Sequence, residues 1–411
     1  MCKKNLLLFS TRRGRCLNRP PRLFYTLCRK SFLLFSLLMF GIGLNAQKSY
    51  VFIGSYNANK NTPGIYIYEL DTLSGQLKEA SVVKDIKNPS FLTLTPNGKF
   101  VIACTETQTP NAGSITSFAF DPTTKELAFI NSQKSGGDNP VYVSSDISGR
   151  WLINANYTGG SASVFRVNKE GKISPAVQVI SYTDSSINKS RQDHSHIHSA
   201  VFSPDNKYVF FPDLGADKIR FYQFDTLQQK PFQIRYPSDG NSIKTLPASG
   251  PRHITFNRKG DVAYCIEEMG GAVDVYSFAR GRLKPIQRLV MHSKNPDNDS
   301  PNGFPSYSGA DIHLSPDGRF LYASNREPQN NIAIFSVKKN GTLKSIGSDS
   351  TYGVHPRIFA IDPTGRFLIV ANQRSGNIVV FKRNLSTGML EKTGEEIKVE
   401  SPSCVKIRQY Y

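Results

Sequence analysis

The chain is poor in the residues that mark several common functional classes. Of 411 residues only 6 are Cys and 1 is Trp. No CxxC pair occurs, so the usual zinc-ribbon and thioredoxin-like signatures are missing. Cys2, Cys16 and Cys28 fall in the first 46 residues; Cys104, Cys265 and Cys404 are an odd set inside apolar runs and read as buried free thiols. There is no GxSxG elbow to present an α/β-hydrolase nucleophile. There is no GxGxxG or GxxxxGK[ST] to cradle phosphates, so nucleotide binding has no motif behind it. Helical periodicity never runs long enough to suggest an α/β domain. Low-complexity tracts are absent, and 26 Phe with 18 Tyr exclude wholesale disorder.

Acidic residues are also in deficit, with 51 Lys+Arg against 32 Asp+Glu and a formal charge of +19. Nine of the basic residues lie within residues 1–46, which hold no acid. The rest carries a mild, dispersed excess with no basic run. That suits an anionic ligand and gives no footprint for nucleic acid. Arg29-Lys30 precede the uncharged stretch 31–44, SFLLFSLLMFGIGL. It is short for a membrane span and has the length of a signal-peptide h-region. Residues 1–46 are therefore expected to be a signal peptide cleaved near Ala46, leaving 47–411 as one periplasmic or secreted domain with no stable membrane span. A short uncleaved anchor is the alternative.

The mature region repeats. A short apolar run, a Pro-Asp/Asn-Gly-like turn and an aromatic-rich run recur in PSFLTLTPNGKFVIAC from Pro89, PVYVSSDISGRWLINAN from Pro140 and IHSAVFSPDNKYVFFPD from Ile197. They recur again in PRHITFNRKGDVAYCIEE from Pro251, GADIHLSPDGRFLYASNR from Gly309 and PRIFAIDPTGRFLIVANQ from Pro356. The turn residues are Gly98, Gly149, Asn206, Gly260, Gly318 and Gly365, types that accept positive φ. Two more strand candidates follow each copy, such as Ser114–Asp121 and Glu126–Ser132. Four strands in each repeat of about fifty residues make a propeller blade. YVFIGSYN from Tyr50 matches the second run of a copy, and its missing first run is PSCVKI from Pro402. The expected fold is all-β: a seven-bladed β-propeller of four-stranded blades, closed by the C-terminal strand pairing into the first blade. An open array or a pair of β-sandwiches is the alternative, and closure is favoured because it removes exposed sheet edges.

Register points to a site. If the first run of each copy (strand A) is innermost, its start and the end of the antiparallel second run (strand B) share one mouth of the channel. Eight residues before each turn residue, and at the matching place in the C-terminal run, stand Ser90, Val141, His198, Arg252, Ala310, Arg357 and Ser403. Eight after, with Tyr56 from the first blade, stand Glu106, Tyr157, Leu214, Glu268, Arg326 and Gln373. Core positions should be apolar or small, yet these rings hold a His, three Arg and two Glu. Opposite charges converging on a concave site are a means of shifting pKa values for catalysis, although a structural ion-pair network would read the same way. His194, His196 and His198 alternate as they would on one strand face. No acidic or Cys partner at a recognisable spacing accompanies them, so no metal site is assigned.

At these residues the sequence resembles the bacterial propeller-type 6-phosphogluconolactonases and their carboxy-muconate cyclase relatives. The resemblance spans residues 50–410 and is carried by HSHIHSAVFSPD, SGPRHITFNRKG, ADIHLSPDGRFLYASNR and HPRIFAIDPTGRFLIVANQRSGNIVVF. It implies a seven-bladed propeller and a site of His198, Arg252, Glu268 and Arg326, all members of the two rings. One departure is Glu267, where the family pattern has Asn. Strand alternation sends Glu267 and Glu268 to opposite faces, and Glu268 is taken as the functional carboxylate.

The chemistry expected is hydrolysis of a sugar lactone, either 6-phosphogluconolactone or a related aldonolactone. Glu268, helped by His198, would orient or deprotonate water, and Arg252 and Arg326 would stabilise the oxyanion. Arg357 and Glu106 would bind substrate. The scheme needs no metal or organic cofactor, no nucleic acid and no partner beyond the lactone, and a monomer is expected. Glu268→Gln is expected to cost turnover with little loss of fold. Two competitors remain: a cycloisomerase that uses the same arginines to hold a dicarboxylate, and a non-catalytic exported propeller that binds a sugar or a protein.

Overall fold

The computed structural model describes residues 47–57, 59, 61–234, 241–291 and 307–411. The leader and its cleavage point lie outside them. Residues 47–410 form one compact unit, a ring of seven antiparallel sheets. Blade 1 runs, from the axis outward, Pro402–Tyr410, Lys48–Ser55, Ile65–Leu70 and Leu77–Val83, so the last strand of the chain is the innermost of the first blade. Strand Pro402–Tyr410 pairs with Lys48–Ser55 along its length, which closes the ring as expected from the Tyr50 and Pro402 runs. Strands A of blades 2, 3, 5, 6 and 7 are Pro89–Leu94, Pro140–Ser145, Pro251–Phe256, Gly309–Leu314 and Pro356–Ile361. Each pairs with the strand B that follows it in the chain.

Burial follows the chain order within a blade. Strands B such as Val262–Glu267 and Phe367–Asn372 are buried along their whole length. Outer strands such as Glu126–Lys134 and Leu390–Lys398 alternate and carry charge, which blunts them as templates for edge pairing. The A–B turns repeat one construction. Gly98, Gly149, Asn206, Gly260, Gly318 and Gly365 all have positive φ, between 60° and 74°. The first residue of the turn reaches back to the start of strand B: Asp146 accepts from Trp151 N at 2.9 Å, and Asp362 from Phe367 N at 2.7 Å. Thr95, Ser203, Asn257 and Ser315 make the same contact in the other four blades. Cys104, Cys265 and Cys404 are free and buried.

Blade 4 departs from the pattern. Its strand A is reduced to Val201–Phe202, preceded by a single bridge from Ile197 to Asp213. Strand C, Lys218–Phe224, is flanked by two short pieces, Phe232–Gln233 and Ser242–Lys244. The chain from 182 to 196, leading into this blade, is irregular. Among the described residues no helix is long and apolar enough to cross a membrane.

Candidate active site

The site is built by one backbone irregularity repeated around the ring. In blade 5 the ladder pairs Pro251 with Glu267 and His253 with Ile266, so Arg252 is left out of it. The same skip leaves out Ser90, Val141, Arg357 and Ser403, and in blade 6 both Ala310 and Asp311. Such a bulge breaks the strict alternation of a strand and re-aims the extra side chain. In blade 4 His198 holds the equivalent place, its N–H donating to Pro212 O at 3.0 Å. Opposite them, Glu106, Glu268 and Arg326 each stand one residue past the end of strand B. Their amides are fixed on the carbonyls of Asn88, Gly250 and Ser308 at 2.8–3.0 Å.

These residues converge on a cavity of about 200 Å³ lined by Glu106, Gln108, Asn139, Val141, Tyr157, Arg191, His198, Arg252, Glu268, Arg326 and Arg357. All six residues singled out in the sequence reach it. At its centre Glu268 is 4 % exposed and carries three guanidiniums. Arg252 Nη1 lies 2.6 Å and Arg326 Nη2 2.9 Å from its Oε2, and Arg191 Nη2 lies 2.5 Å from its Oε1. The same Arg252 nitrogen also meets His198 Nε2. Main-chain carbonyls fix the forks: Arg252 Nε donates to Ala310 O at 2.8 Å, and Arg326 Nη2 to Gly309 O at 3.1 Å. On the other side of the cavity Tyr56 donates its hydroxyl to Glu106. The Arg357 guanidinium lies 3.7 Å from Glu106 and sits over the Tyr56 ring. Glu267 faces away, gripped by Arg288 through contacts of 3.0 and 2.6 Å.

Electrostatics set the protonation states. Burial alone would raise the Glu268 carboxyl, but Arg326, Arg252 and Arg191 outweigh it and hold it well below the usual carboxylate range. Burial, reinforced by Arg252, pushes His198 well below the ordinary imidazole range, so the ring is neutral at pH 7. Burial also draws Arg252 down to about 9, with Arg326 and Arg357 adding to the effect, and the guanidinium remains charged at neutral pH. Four arginines against two glutamates leave the cavity positive. That excess attracts an anion or a developing oxyanion.

Adjoining the cavity, Asp311 bridges two imidazoles, accepting from His253 Nδ1 and His313 Nε2 at 2.8 Å each. Burial lowers His253 from 6.5 to about 4 despite that hydrogen bond. Between those values the unfolded chain binds a proton that the folded one refuses. The contribution to stability is therefore full above 6.5, declines as pH falls to about 4, and is worth up to about 3 kcal/mol. A melting temperature that drops from pH 7 to pH 4.5, and a shallower drop in His253→Gln, are the expected results of a thermal-denaturation series.

Register reasoning missed Arg191, Gln108 and Asn139. Arg191 belongs to the irregular segment before blade 4, which has no counterpart in the other copies and so no register from which to place it. The expected shared strand face of His194, His196 and His198 is not formed. Residues 193–196 are not in a strand, so only His198 enters the cavity, and Asp193 supplies the acidic partner that spacing did not reveal.

A closed propeller whose mouth gathers arginines around a buried carboxylate is a small-molecule site of the kind that enzymes build on this architecture. The chain belongs to the seven-bladed β-propeller lactonase family, which it matches over residues 50–407. It is 42 % identical to a 6-phosphogluconolactonase of Formosa agariphila over 88 % of this chain and 99 % of that one. It is 32 % identical to a 6-phosphogluconolactonase of Bacillus subtilis over 86 % and 97 % of the two chains. Among solved structures, the periplasmic gluconolactonase of Pseudomonas aeruginosa superimposes with a TM-score of 0.79 at 34 % identity, covering 88 % of this chain and 99 % of that one.

Proposed function

We propose that the protein hydrolyses the lactone ring of an aldonic acid, with 6-phosphogluconolactone or its unphosphorylated counterpart as substrate. The observation that carries this reading is the buried Glu268 shared by Arg191, Arg252 and Arg326 in a cavity with excess positive charge. Arg252 and Arg326 polarise the lactone carbonyl and hold the oxyanion of the tetrahedral intermediate. Glu268 and His198 orient the attacking water. In the resting site Glu268 is a weak base because three guanidiniums stabilise its charge. The oxyanion that develops on either lactone draws on those guanidiniums, which loosens their hold on Glu268 and raises its basicity as water is deprotonated. The water oxygen bonds to the carbonyl carbon and its proton passes to Glu268. Collapse then breaks the bond to the ring oxygen, which takes the proton back and leaves as a hydroxyl. One water is consumed, and the aldonic acid formed releases its carboxyl proton to solvent to leave as the aldonate. Arg357 holds an anionic substituent and Glu106 accepts from sugar hydroxyls.

Export is part of the same reading: residues 1–46 are removed near Ala46, and 47–411 act outside the cytosol as a monomer. A relative described as periplasmic supports the compartment. The test is initial rates on 6-phosphogluconolactone and gluconolactone, each corrected for spontaneous opening. Acceleration of either supports hydrolysis, and the preferred lactone fixes the role of the excess charge. Acceleration of neither by folded protein, with lactone formed from a muconate-type dicarboxylate, replaces hydrolysis by cycloisomerisation.

A further inference from the structure

The segment that delivers Arg191 to the cavity also carries a cluster that the lactonase chemistry does not use. Asp193, His194 and His196 bring one ligand atom each to within 4.8 Å of one another. His194 Nδ1 lies 3.0 Å from Asp193 Oδ2, and His196 Nε2 lies 3.3 Å from Asp193 Oδ1. The opposite ring nitrogens face main-chain carbonyls: His194 Nε2 meets Thr158 O at 2.9 Å, and His196 Nδ1 meets Tyr157 O at 3.2 Å.

A carbonyl only accepts, so the nitrogen facing it carries the hydrogen. In a neutral ring the other nitrogen then holds a lone pair, and in both rings that lone pair faces the Asp193 carboxylate. Two acceptors pointing at a third within hydrogen-bond distance repel unless something positive lies between them. The two rings meet edge to face with centroids 4.2 Å apart, and His196 is 7 % exposed, so three donor atoms crowd one largely desolvated spot. A single divalent cation serves all three lone pairs at once. In a tetrahedron with metal–ligand bonds of about 2.05 Å the ligand atoms stand about 3.3 Å apart; the two imidazoles here lie 3.0 and 3.3 Å from different oxygens of Asp193, so a small turn of the exposed carboxylate brings one oxygen to a centre shared with both rings. The carbonyls of Tyr157 and Thr158 are the outer partners that fix tautomer and ring orientation at histidine metal sites.

We propose that Asp193, His194 and His196 bind a zinc-class divalent cation that ties down the segment carrying Arg191. The remaining coordination positions are left to water. The cation would sit behind the cavity wall. Tyr157, which lines the cavity, stacks on His196 with centroids 4.4 Å apart and 8° between ring planes, and meets the edge of His198 at 5.3 Å. Loading therefore stiffens the wall and the Arg191 segment together and reacts with no substrate.

The test is titration of chelator-treated full-length protein with Zn²⁺ alone by calorimetry, with Co²⁺ as a spectroscopic probe. One cation per chain, a tetrahedral Co²⁺ visible spectrum and a higher melting temperature with zinc are expected. All three should be lost in His194→Gln/His196→Gln and in Asp193→Asn. The Asp193 side chain is 62 % exposed, so the latter variant keeps the fold. Absence of stoichiometric zinc binding by the wild type, or its full retention in Asp193→Asn and in the double variant, overturns the site.

Discussion

Glu268→Gln is expected to cut lactone turnover sharply and to lower the melting temperature in the same variant. Turnover should fall by about 10³-fold, since the substitution removes the proton acceptor and releases the arginines that hold the oxyanion. The stability loss follows from burial. Glu268 is the common counter-ion of Arg191, Arg252 and Arg326, the last two 2 % and 7 % exposed. A neutral amide leaves those charges uncompensated, at a cost of about 3–5 kcal/mol when one partner of a buried pair is removed. This revises the expectation, drawn from sequence, of a variant with an intact fold. Removing a second charge separates the two effects. Glu268→Gln with Arg326→Met relieves part of the repulsion, so the double variant melts above the single one and still fails to open lactone. Activity assays beside calorimetric melts of both variants check it.

Arg252→Lys carries the second large effect. The guanidinium does three things from one side chain: it donates to Ala310 O, to Glu268 and to His198. A lysine ammonium keeps the charge but lacks the planar fork that places these bonds in fixed directions. Turnover is therefore expected to fall by about 10²–10³-fold although charge is conserved, the scale of losing one preorganised oxyanion donor. The loss should appear in kcat more than in KM, because the charge that attracts an anionic substrate is retained. Steady-state kinetics on the preferred lactone test it, and a lysine variant with wild-type kcat would remove the fork from the mechanism.

The fold was legible because a propeller states itself repeatedly. Six copies with a positive-φ residue at the same turn position, Gly in five and Asn206 in the sixth, gave the blades, and the split between the Tyr50 and Pro402 runs gave the closure that the pairing of Lys48–Ser55 with Pro402–Tyr410 displays. The two rings were legible for the same reason: equivalent positions in equivalent repeats must face one axis. The bulge at the second residue of strand A was not. A ladder skip leaves no mark in a hydrophobic pattern, and without it Arg252 and Arg357 would obey the alternation of their neighbours. Arg191 escaped because it lies in a segment that repeats nowhere else in the chain; His194 and His196, in the same segment, were noticed for their alternation, but without a register their relation to Asp193 could not be placed. The protonation states escaped as well. A sequence shows that Glu268 and arginines share a mouth, but only distances show three guanidiniums on one carboxylate, and that number makes Glu268 a structural counter-ion as well as a catalytic candidate.

The most direct test is the initial rate of lactone opening by the wild type beside Glu268→Gln/Arg326→Met, at equal concentrations, below the melting temperature of both and corrected for spontaneous hydrolysis. The account predicts acceleration by the wild type and the uncatalysed rate with the folded double variant. A double variant as fast as the wild type, or a folded wild type that accelerates no lactone, would contradict it.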